Sequence, residues 1–262
     1  MVAVSAARAQ TPSPLGEWQY SAGIALKQRF EPHPPRWETL LGFGVEMLPR
    51  FEGSDRYYFE PGPTIDVRYR NIAFFSTGEG LGVNLLRGMD YRAGIALTYD
   101  LGRQEGTDFR LRGRGDLSAS PAAKVFGEYV WFPLVVRGDV RYNIGGVGGW
   151  IGDASAYLPL AGSEKFFVFT GASVTIADQN YLRHAFGVDA AQAQKTGEPQ
   201  YTPGGGVKSA GVGANATWIF AEHWFLDAVA AATLLLGPAA SSPTVEDKWQ
   251  YALSLSLSYD FR

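Results

Sequence analysis

The segment that decides the fold class is WQYALSLSLSYDF, residues 249–261. Its odd positions, from Trp249 through Leu255 to Phe261, are apolar or aromatic, and its even positions are small or polar. Alternation with a period of two is typical of a β-strand with one apolar face. At about 10 to 14 residues, this strand and others like it match tilted membrane strands rather than the shorter strands of soluble sheets.

The same alternation recurs in residues 91–101, 134–144 and 224–234. Aromatic residues lie at the ends of several apolar faces, as in Trp218 with Phe220. This is the girdle expected where a barrel meets the two membrane interfaces. A soluble β-sandwich would bury these faces and has no need of aromatic residues at both ends. We therefore predict an all-β fold, a transmembrane antiparallel up-and-down β-barrel of about 12 strands.

The count of twelve depends on one ambiguity, the segment TGEG at 77–80, which could divide one long strand into two short ones. In that case the first predicted strand lies outside the barrel and the total is still twelve. The predicted strands are 17–27, 39–49, 63–70, 72–86, 91–102, 121–132, 134–144, 150–160, 165–176, 207–220, 222–235 and 248–261.

Composition excludes several other classes. The 262 residues contain no Cys and 3 His, so thiolate metal sites, disulfide scaffolds and His-rich metal sites are not expected. A net charge of -3 gives no basic surface for nucleic acid. The longest apolar stretch falls far short of the roughly 20 residues of a spanning helix. High glycine (32), 14% aromatic residues and only 19% charged residues suit a membrane barrel.

The N-terminal residues suggest export. Ala7-Arg8-Ala9 before Gln10 resembles a signal-peptide cleavage site, although the basic and apolar regions that precede such sites are missing. A flexible terminus is the alternative. We assign residues 1–15 to a signal-peptide remnant and periplasmic lead, and residues 16–262 to a single barrel domain. The expected location is the outer membrane of a Gram-negative bacterium.

Charged residues on the inner faces predict a network in the lumen. Arg137, Asp139 and Arg141 lie on one face of a strand at spacings of two. These side chains could line a pore and select anions. We favour the alternative, a luminal network in which they are neutralised by carboxylates of other strands. Charged residues are normal inside a barrel, because interior residues never meet lipid. The predicted network comprises Asp66, Arg68, Asp100, Glu128, Arg137, Asp139 and Arg141.

Other candidate sites are weak. Glu222-His223, with Ser209 and Thr217 on the preceding strand, could suggest a hydrolase, but we read His223 as a turn residue and predict no enzyme. The acidic residues do not form a calcium cage, so no metal or cofactor is expected. The long loop after the ninth predicted strand, 177–206, could plug the barrel or lie exposed. Inward aromatic side chains would tend to fill the lumen, namely those of Phe126, Tyr157, Phe167, Phe169 and Phe225.

Seven segments, in this order, resemble the MipA/OmpV family of MltA-interacting outer-membrane proteins. They are FEGSD (51–55), LGVNLL (81–86), YRAG (91–94), DLSASPAAK (116–124), FGVDAAQA (186–193), EHW (222–224) and SPTVE (242–246). The resemblance covers about residues 39–261 and implies an outer-membrane barrel. It also implies partners, because a member of the family is described as a scaffold that joins a lytic transglycosylase to a murein synthase.

The resemblance further implies that Tyr259 and Phe261 form the signal read by the barrel-assembly machinery. Family chains generally end on an aromatic residue, whereas here Arg262 follows Phe261. We expect a non-enzymatic scaffold, embedded in outer-membrane lipid and bound to murein enzymes. A small-solute porin or an adhesin is the alternative, since other members of the family have been described in those terms.

Overall fold

Twelve antiparallel strands close into one barrel in the computed structural model, which describes residues 35–261. Each strand pairs with its neighbours in the chain, and β12 pairs with β1 to complete the ring. The strands are β1 (Trp37–Pro49), β2 (Tyr57–Tyr69), β3 (Ala73–Ser76), β4 (Gly80–Arg87), β5 (Tyr91–Asp100), β6 (Ser120–Trp131), β7 (Leu134–Asn143), β8 (Gly149–Gly162), β9 (Phe166–Ala177), β10 (Gly206–Ala221), β11 (Trp224–Leu235) and β12 (Trp249–Asp260).

The predicted barrel of about twelve strands is confirmed, and the ambiguity at residues 77–80 is resolved as two short strands. A single strand over 72–86 is therefore wrong, because Gly80 has a φ of +90° and reverses the chain between β3 and β4. The predicted strand 17–27 lies outside the described residues. So does the proposed signal-peptide remnant.

The strand β2 begins at Tyr57, whereas the corresponding predicted strand, 63–70, begins six residues later. Pro61 and Pro63 lie within this strand, opposite Val45 and Phe43 of β1. A proline fits inside a strand where its missing N–H would face away from the paired neighbour.

The two faces of β12 show how the barrel meets its surroundings. The outward Leu253, Leu255 and Leu257 are 49%, 53% and 42% exposed, whereas Ser256 and Ser258 are buried inside. A soluble sandwich would bury such leucines, so the exposed apolar belt is that of a barrel whose outer solvent is lipid. No helix among residues 35–261 is long and apolar enough to cross a membrane.

Connections differ between the two ends of the barrel. At one end, here called the short-turn end, β6–β7 and β10–β11 are joined by two residues each. At the other, the long-loop end, residues 101–119, 178–205 and 236–248 form long loops. They contain helices α1 (Gln179–Phe186), α2 (Ala190–Thr196) and α3 (Gly237–Ala240), and 3-10 turns at Glu105–Thr107 and Phe109–Leu111.

Candidate functional site

Six charged side chains form a continuous ion-pair network on one side of the lumen, here called the luminal network. It extends from β2 across the β3–β4 turn to β7. Its members are Asp66, Arg68, Glu79, Arg92, Glu128 and Arg137. Three carboxylates thus face three guanidinium groups, and each guanidinium group contacts two of the carboxylates.

Glu79 occupies the centre of the luminal network. Its carboxylate lies 3.2 Å from Arg68 Nη2, 3.3 Å from Arg92 Nη1 and 3.8 Å from Arg137 Nη2. Arg68 in turn donates from Nε and Nη2 to both oxygens of Asp66 at 2.8 Å. Such a two-pronged contact fixes the guanidinium plane as well as its position.

Glu128 closes the other end of the luminal network. Arg92 Nε donates to its Oε1 at 3.1 Å, and the Tyr157 hydroxyl donates to its Oε2 at 3.2 Å. Arg137 Nη1 lies 3.5 Å from the same Oε2. Because Arg92, Glu128 and Tyr157 are all buried, each charge depends on its partners rather than on water.

Aromatic rings support the network. The ring of Phe126 lies between Arg92 and Arg137, whose Cζ atoms are 5.6 Å and 5.5 Å from its centroid. Phe74 packs edge-on against Phe126 at 5.8 Å. These rings hold the guanidinium groups by cation–π contact and occupy luminal volume. Of the other aromatic residues expected inside, Tyr157 is buried, and Phe167, Phe169 and Phe225 are partly buried.

The β3–β4 turn places Glu79 at this position. Ser76 Oγ accepts hydrogen bonds from the backbone N–H groups of Gly78 and Glu79, at 3.2 Å and 3.3 Å, and so fixes the turn. A Cβ on Gly80 would come within 2.3 Å of the Leu97 carbonyl oxygen, so glycine is required there. Sequence reasoning missed Glu79, because it treated the TGEG segment only as a possible strand break.

Three predicted network residues lie elsewhere. Arg141 pairs with Asp139 at 3.4 Å and also contacts Asp153, whose Oδ1 accepts a hydrogen bond from Thr175 at 2.6 Å. This second group is nearer the long-loop end of β7. Asp100 joins neither group among the described ion pairs, because it ends β5 and its Oδ1 accepts from the Gly102 N–H at 2.9 Å.

Above the lumen, the loops at the long-loop end fold into a cap. Asp178 accepts a hydrogen bond from the N–H of Tyr181 at the start of α1, and Asp189 forms a reciprocal capping box with Gln192 in α2. The underside of the cap is apolar, with Leu182 and Phe186 buried against the barrel rim. The buried cluster comprises Val147, Ile151, Ala177, Tyr181, Leu182, Phe186, Leu235 and Ala239.

A chain of ion pairs joins four loops across the top of this cap. Arg56 contacts Asp108 at 2.7 Å and Glu246 at 3.3 Å. Arg110 contacts Glu246 at 3.2 Å and Glu198 at 3.5 Å. Arg114 also pairs with Glu198. The 178–205 loop is therefore tied to its neighbours, and its helix α1 packs on the rim, whereas α2 has no buried residue.

Two arginines of the cap carry shifted pKa values. Burial, and then the nearby Arg114 charge, lowers the pKa of Arg103 to about 10. Burial and Arg110 lower the pKa of Arg114 to about 10 as well. Both nevertheless remain protonated near neutral pH. Arg103 Nη1 donates to the Ala185 carbonyl at 2.7 Å, so its role in the cap is to hold α1.

The residues considered for catalysis do not converge. Ser209 pairs with Leu235 at the long-loop end, whereas His223 lies in the β10–β11 turn at the other end. His223 contacts the Tyr259 ring at 5.5 Å, and Thr217 bonds Asp227. Residues 35–261 contain no cluster of His, Asp and Glu side chains fit to hold a metal ion.

The two residues predicted as an assembly signal lie at the short-turn end. The rings of Tyr259 and Phe261 meet edge-on at 4.7 Å, and Trp224 packs against Tyr259 at 5.1 Å. The N–H of Phe261 donates to the Thr39 carbonyl at 2.9 Å, so the closing strand is joined to β1 up to this residue.

Among solved structures, the chain is similar to several outer-membrane barrels. It is 13% identical to the translocator domain of the autotransporter NalP from Neisseria meningitidis, with 94% of this chain and 96% of that chain covered and a TM-score of 0.43. It is 10% identical to OmpT of Vibrio cholerae, with 86% and 97% covered and a TM-score of 0.38. No curated protein matches the chain.

The sequence profile of one family matches most of the chain. The family is described as MltA-interacting protein MipA, and the match covers residues 41–261, from β1 to the end of β12. It therefore includes the luminal network, the cap and the closing strand. The chain belongs to the MipA family.

Proposed function

We propose that this barrel acts in the outer membrane of a Gram-negative bacterium as a non-enzymatic scaffold that holds a murein synthase and a lytic transglycosylase together. The observation that carries the proposal is the luminal network, in which each of three buried arginines contacts two of three carboxylates. Paired, buried charges offer little to passing ions. The family description, which names an interaction rather than a reaction, supports the same conclusion.

The scaffold would present its short-turn end to the periplasm, where murein and its enzymes are found. Short periplasmic turns and long outer loops are the usual asymmetry of such barrels. Exposed apolar side chains project from this end, among them Met89 (64%) and Phe132 (53%). They are available to a partner without any rearrangement of the barrel. No cofactor is needed for this role.

Site-specific photocross-linking in cells tests this proposal. A photoreactive residue replaces Met89 at the short-turn end or, as a matched control, Phe109 at the long-loop end, which is 60% exposed. We expect Met89 cross-links to contain murein enzymes, identified by mass spectrometry, and Phe109 cross-links to lack them. Absence of murein enzymes from both positions would contradict the scaffold.

Conductance separates the scaffold from a small-solute porin. We expect the wild-type barrel to conduct poorly in planar bilayers, because the luminal network and the cap both obstruct the path. Deleting residues 182–199 should raise conductance if the cap is the main obstruction, and leave it low if the luminal network is. Large, steady conductance of the wild-type protein would favour the porin.

A further inference from the structure

The β2–β3 turn at the short-turn end holds two residues in a backbone conformation that favours glycine. Arg70 and Asn71 have φ angles of +47° and +52°, and within residues 35–261 they are the only residues other than glycine with a positive φ. The turn is closed by a hydrogen bond of 2.7 Å from the Ile72 N–H to the Tyr69 carbonyl. Glycine, asparagine and aspartate are the usual residues at such positions. An arginine at the first of them indicates that its side chain is needed there.

Contacts with both neighbouring segments fix this turn. From β4, Asn84 Nδ2 donates to the carbonyl and to the Oδ1 of Asn71, at 2.9 Å and 3.0 Å. The Asn84 N–H donates to the Ile72 carbonyl at 2.7 Å. On the other side, the Arg70 N–H donates to the carbonyl of Arg36, which precedes β1, at 3.1 Å. The backbones of Arg36 and Arg70 are therefore adjacent, and their side chains start from neighbouring positions.

Arg36 and Arg70, here called the arginine pair, carry charges that no carboxylate among the described residues balances. Both residues are exposed, and neither forms an ion pair with another residue of 35–261. The carboxylate nearest in the chain is that of Glu38, which lies opposite Arg68 in the register of β1 and β2. Two like charges on adjacent backbones repel each other unless an anion binds both. The arginine pair is thus suited to an external anion.

The arginine pair lies at the level of the aromatic girdle. Trp37 and Tyr69 are opposite each other in β1 and β2, and their ring centroids are 4.8 Å apart. Arg70 Cζ lies 5.9 Å from the centroid of the Tyr69 ring, at the outer limit of a cation–π contact. Tryptophan and tyrosine are enriched where lipid headgroups meet a barrel. Toward the middle of the membrane the outer face is apolar, with Phe75 and Val83 48% and 36% exposed.

We propose that the arginine pair binds the phosphate of an anionic phospholipid, such as phosphatidylglycerol, in the periplasmic leaflet. Each guanidinium group offers parallel N–H donors to phosphate oxygens and stays charged at physiological pH. A zwitterionic lipid is bound less well, because its ammonium group offsets the phosphate and repels the arginines. The acyl chains lie along the apolar outer face of β3 and β4. The proposal uses the orientation given above, with the short-turn end in the periplasm, and does not depend on the scaffold role.

Native mass spectrometry of the whole protein in detergent tests the lipid site. The protein is titrated with phosphatidylglycerol or, for comparison, with zwitterionic phosphatidylethanolamine. Arg36→Gln and Arg70→Gly each remove one charge from the arginine pair. Lys165→Gln, in the exposed β8–β9 turn at the same end, removes one charge elsewhere. Each arginine variant should raise the apparent Kd for phosphatidylglycerol about fivefold. The Kd for phosphatidylethanolamine should change less, and Lys165→Gln should have little effect on either.

The Arg70→Gly variant also separates binding from folding. Glycine adopts a φ near +47° without strain, so this variant should keep the heat-modifiable migration of the wild type. A loss of lipid affinity in a correctly folded Arg70→Gly barrel therefore reports on the missing side chain. Unchanged affinity in both arginine variants, or an equal loss in Lys165→Gln, would overturn the proposal.

Two further measurements distinguish the lipid from other anions. Glycerol phosphate, which has a headgroup phosphate but no acyl chains, should not displace phosphatidylglycerol even in large excess. Displacement would make this a site for free phosphate compounds and would contradict the lipid assignment.

The second measurement is the photocross-linking experiment described above, repeated with the double variant Arg36→Gln with Arg70→Gly. We expect this variant to give the same Met89 cross-links as the wild type. Loss of those cross-links with phosphatidylglycerol binding unchanged would show that the arginines contact a protein partner, and the lipid site would be wrong. Because lipid affinity is measured on the purified barrel, failure of the scaffold proposal does not affect this test.

Discussion

Two clusters of ion pairs lie one above the other in this barrel, and they differ in what surrounds them. In the luminal network, the side chains of Arg92, Glu79 and Glu128 are at most 1% exposed. In the cap, Arg56 and Arg110 are each 34% exposed and Glu246 is 17% exposed, although their neighbours Asp108 and Arg114 are buried. The chemical groups are the same, but the solvent that competes for them is not.

This difference sets how strongly each cluster depends on its individual members. Removing one partner of a buried pair leaves the other charge buried and unpaired, which costs several kcal/mol. An exposed pair contributes about 0–1 kcal/mol, because water and salt replace a lost partner. The luminal network should therefore behave as one unit, whereas the cap should depend mainly on its apolar underside.

The largest effect is expected from Arg92→Met in the luminal network. The substitution keeps most of the side-chain volume but leaves Glu79 and Glu128 facing each other with fewer cations. We expect the free energy of unfolding to fall by about 3–5 kcal/mol, measured by urea titration of the detergent-solubilised barrel. The double variant with Glu128→Gln should recover part of the loss, since it removes one stranded charge. A loss below about 1 kcal/mol would show that water reaches the network.

The sequence predicts that luminal charges neutralise one another, but it does not predict which ones meet. The inward positions of Arg68, Glu128 and Arg137 follow from the period of two along each strand. The central role of Glu79 does not, because it depends on the reversal at Gly80 and on the register between β2 and β3. Register is a property of paired strands, and no single strand's pattern contains it.

The next largest effect is expected from a charge placed on the outer face of β12, where the surrounding solvent is lipid. Leu255→Arg, near the middle of β12, should cost about 2–4 kcal/mol, because lipid offers the guanidinium no partner. Ser254→Arg should cost less, since it faces the lumen beside Glu46 of β1. Heat-modifiable migration and the yield of folded protein measure both variants. Equal losses would mean that the two faces of β12 do not meet different solvents.

A smaller effect is expected from removing a buried side chain on the apolar underside of the cap. Leu182→Ala should lower the local stability of the cap by about 2 kcal/mol, at the low end for buried leucines because loops can resettle. Hydrogen exchange at the amides of α1 should accelerate, while the urea midpoint of the barrel stays unchanged. Arg183→Ala, on the exposed side of α1, is the matched control and should leave exchange nearly unaltered. If both variants loosen α1 equally, the apolar cluster does not hold the cap.

The cap also shows where sequence reasoning was limited. The helix-forming content of residues 182–195 and the aspartates before each helix can be recognised in the sequence. That Phe186 packs in a cluster with Ala239, and that Ser242 donates to the Phe186 carbonyl at 2.6 Å, cannot. These contacts join loops that are distant in the chain and meet only because the barrel brings their ends together.

The smallest effect is expected from the same substitution made in the cap, Arg110→Met. Arg110 bridges Glu246 and Glu198, so its loss breaks two ion pairs. Even so, each freed carboxylate keeps another arginine, Arg56 for Glu246 and Arg114 for Glu198. We expect a loss of no more than about 1 kcal/mol in the local stability of the cap, and less at high salt, which screens exposed pairs. Hydrogen exchange of the cap at low and high salt measures this. A loss as large as that of Arg92→Met, unaffected by salt, would mean that the cap pairs are as dry as the luminal network and that exposure does not separate the two clusters.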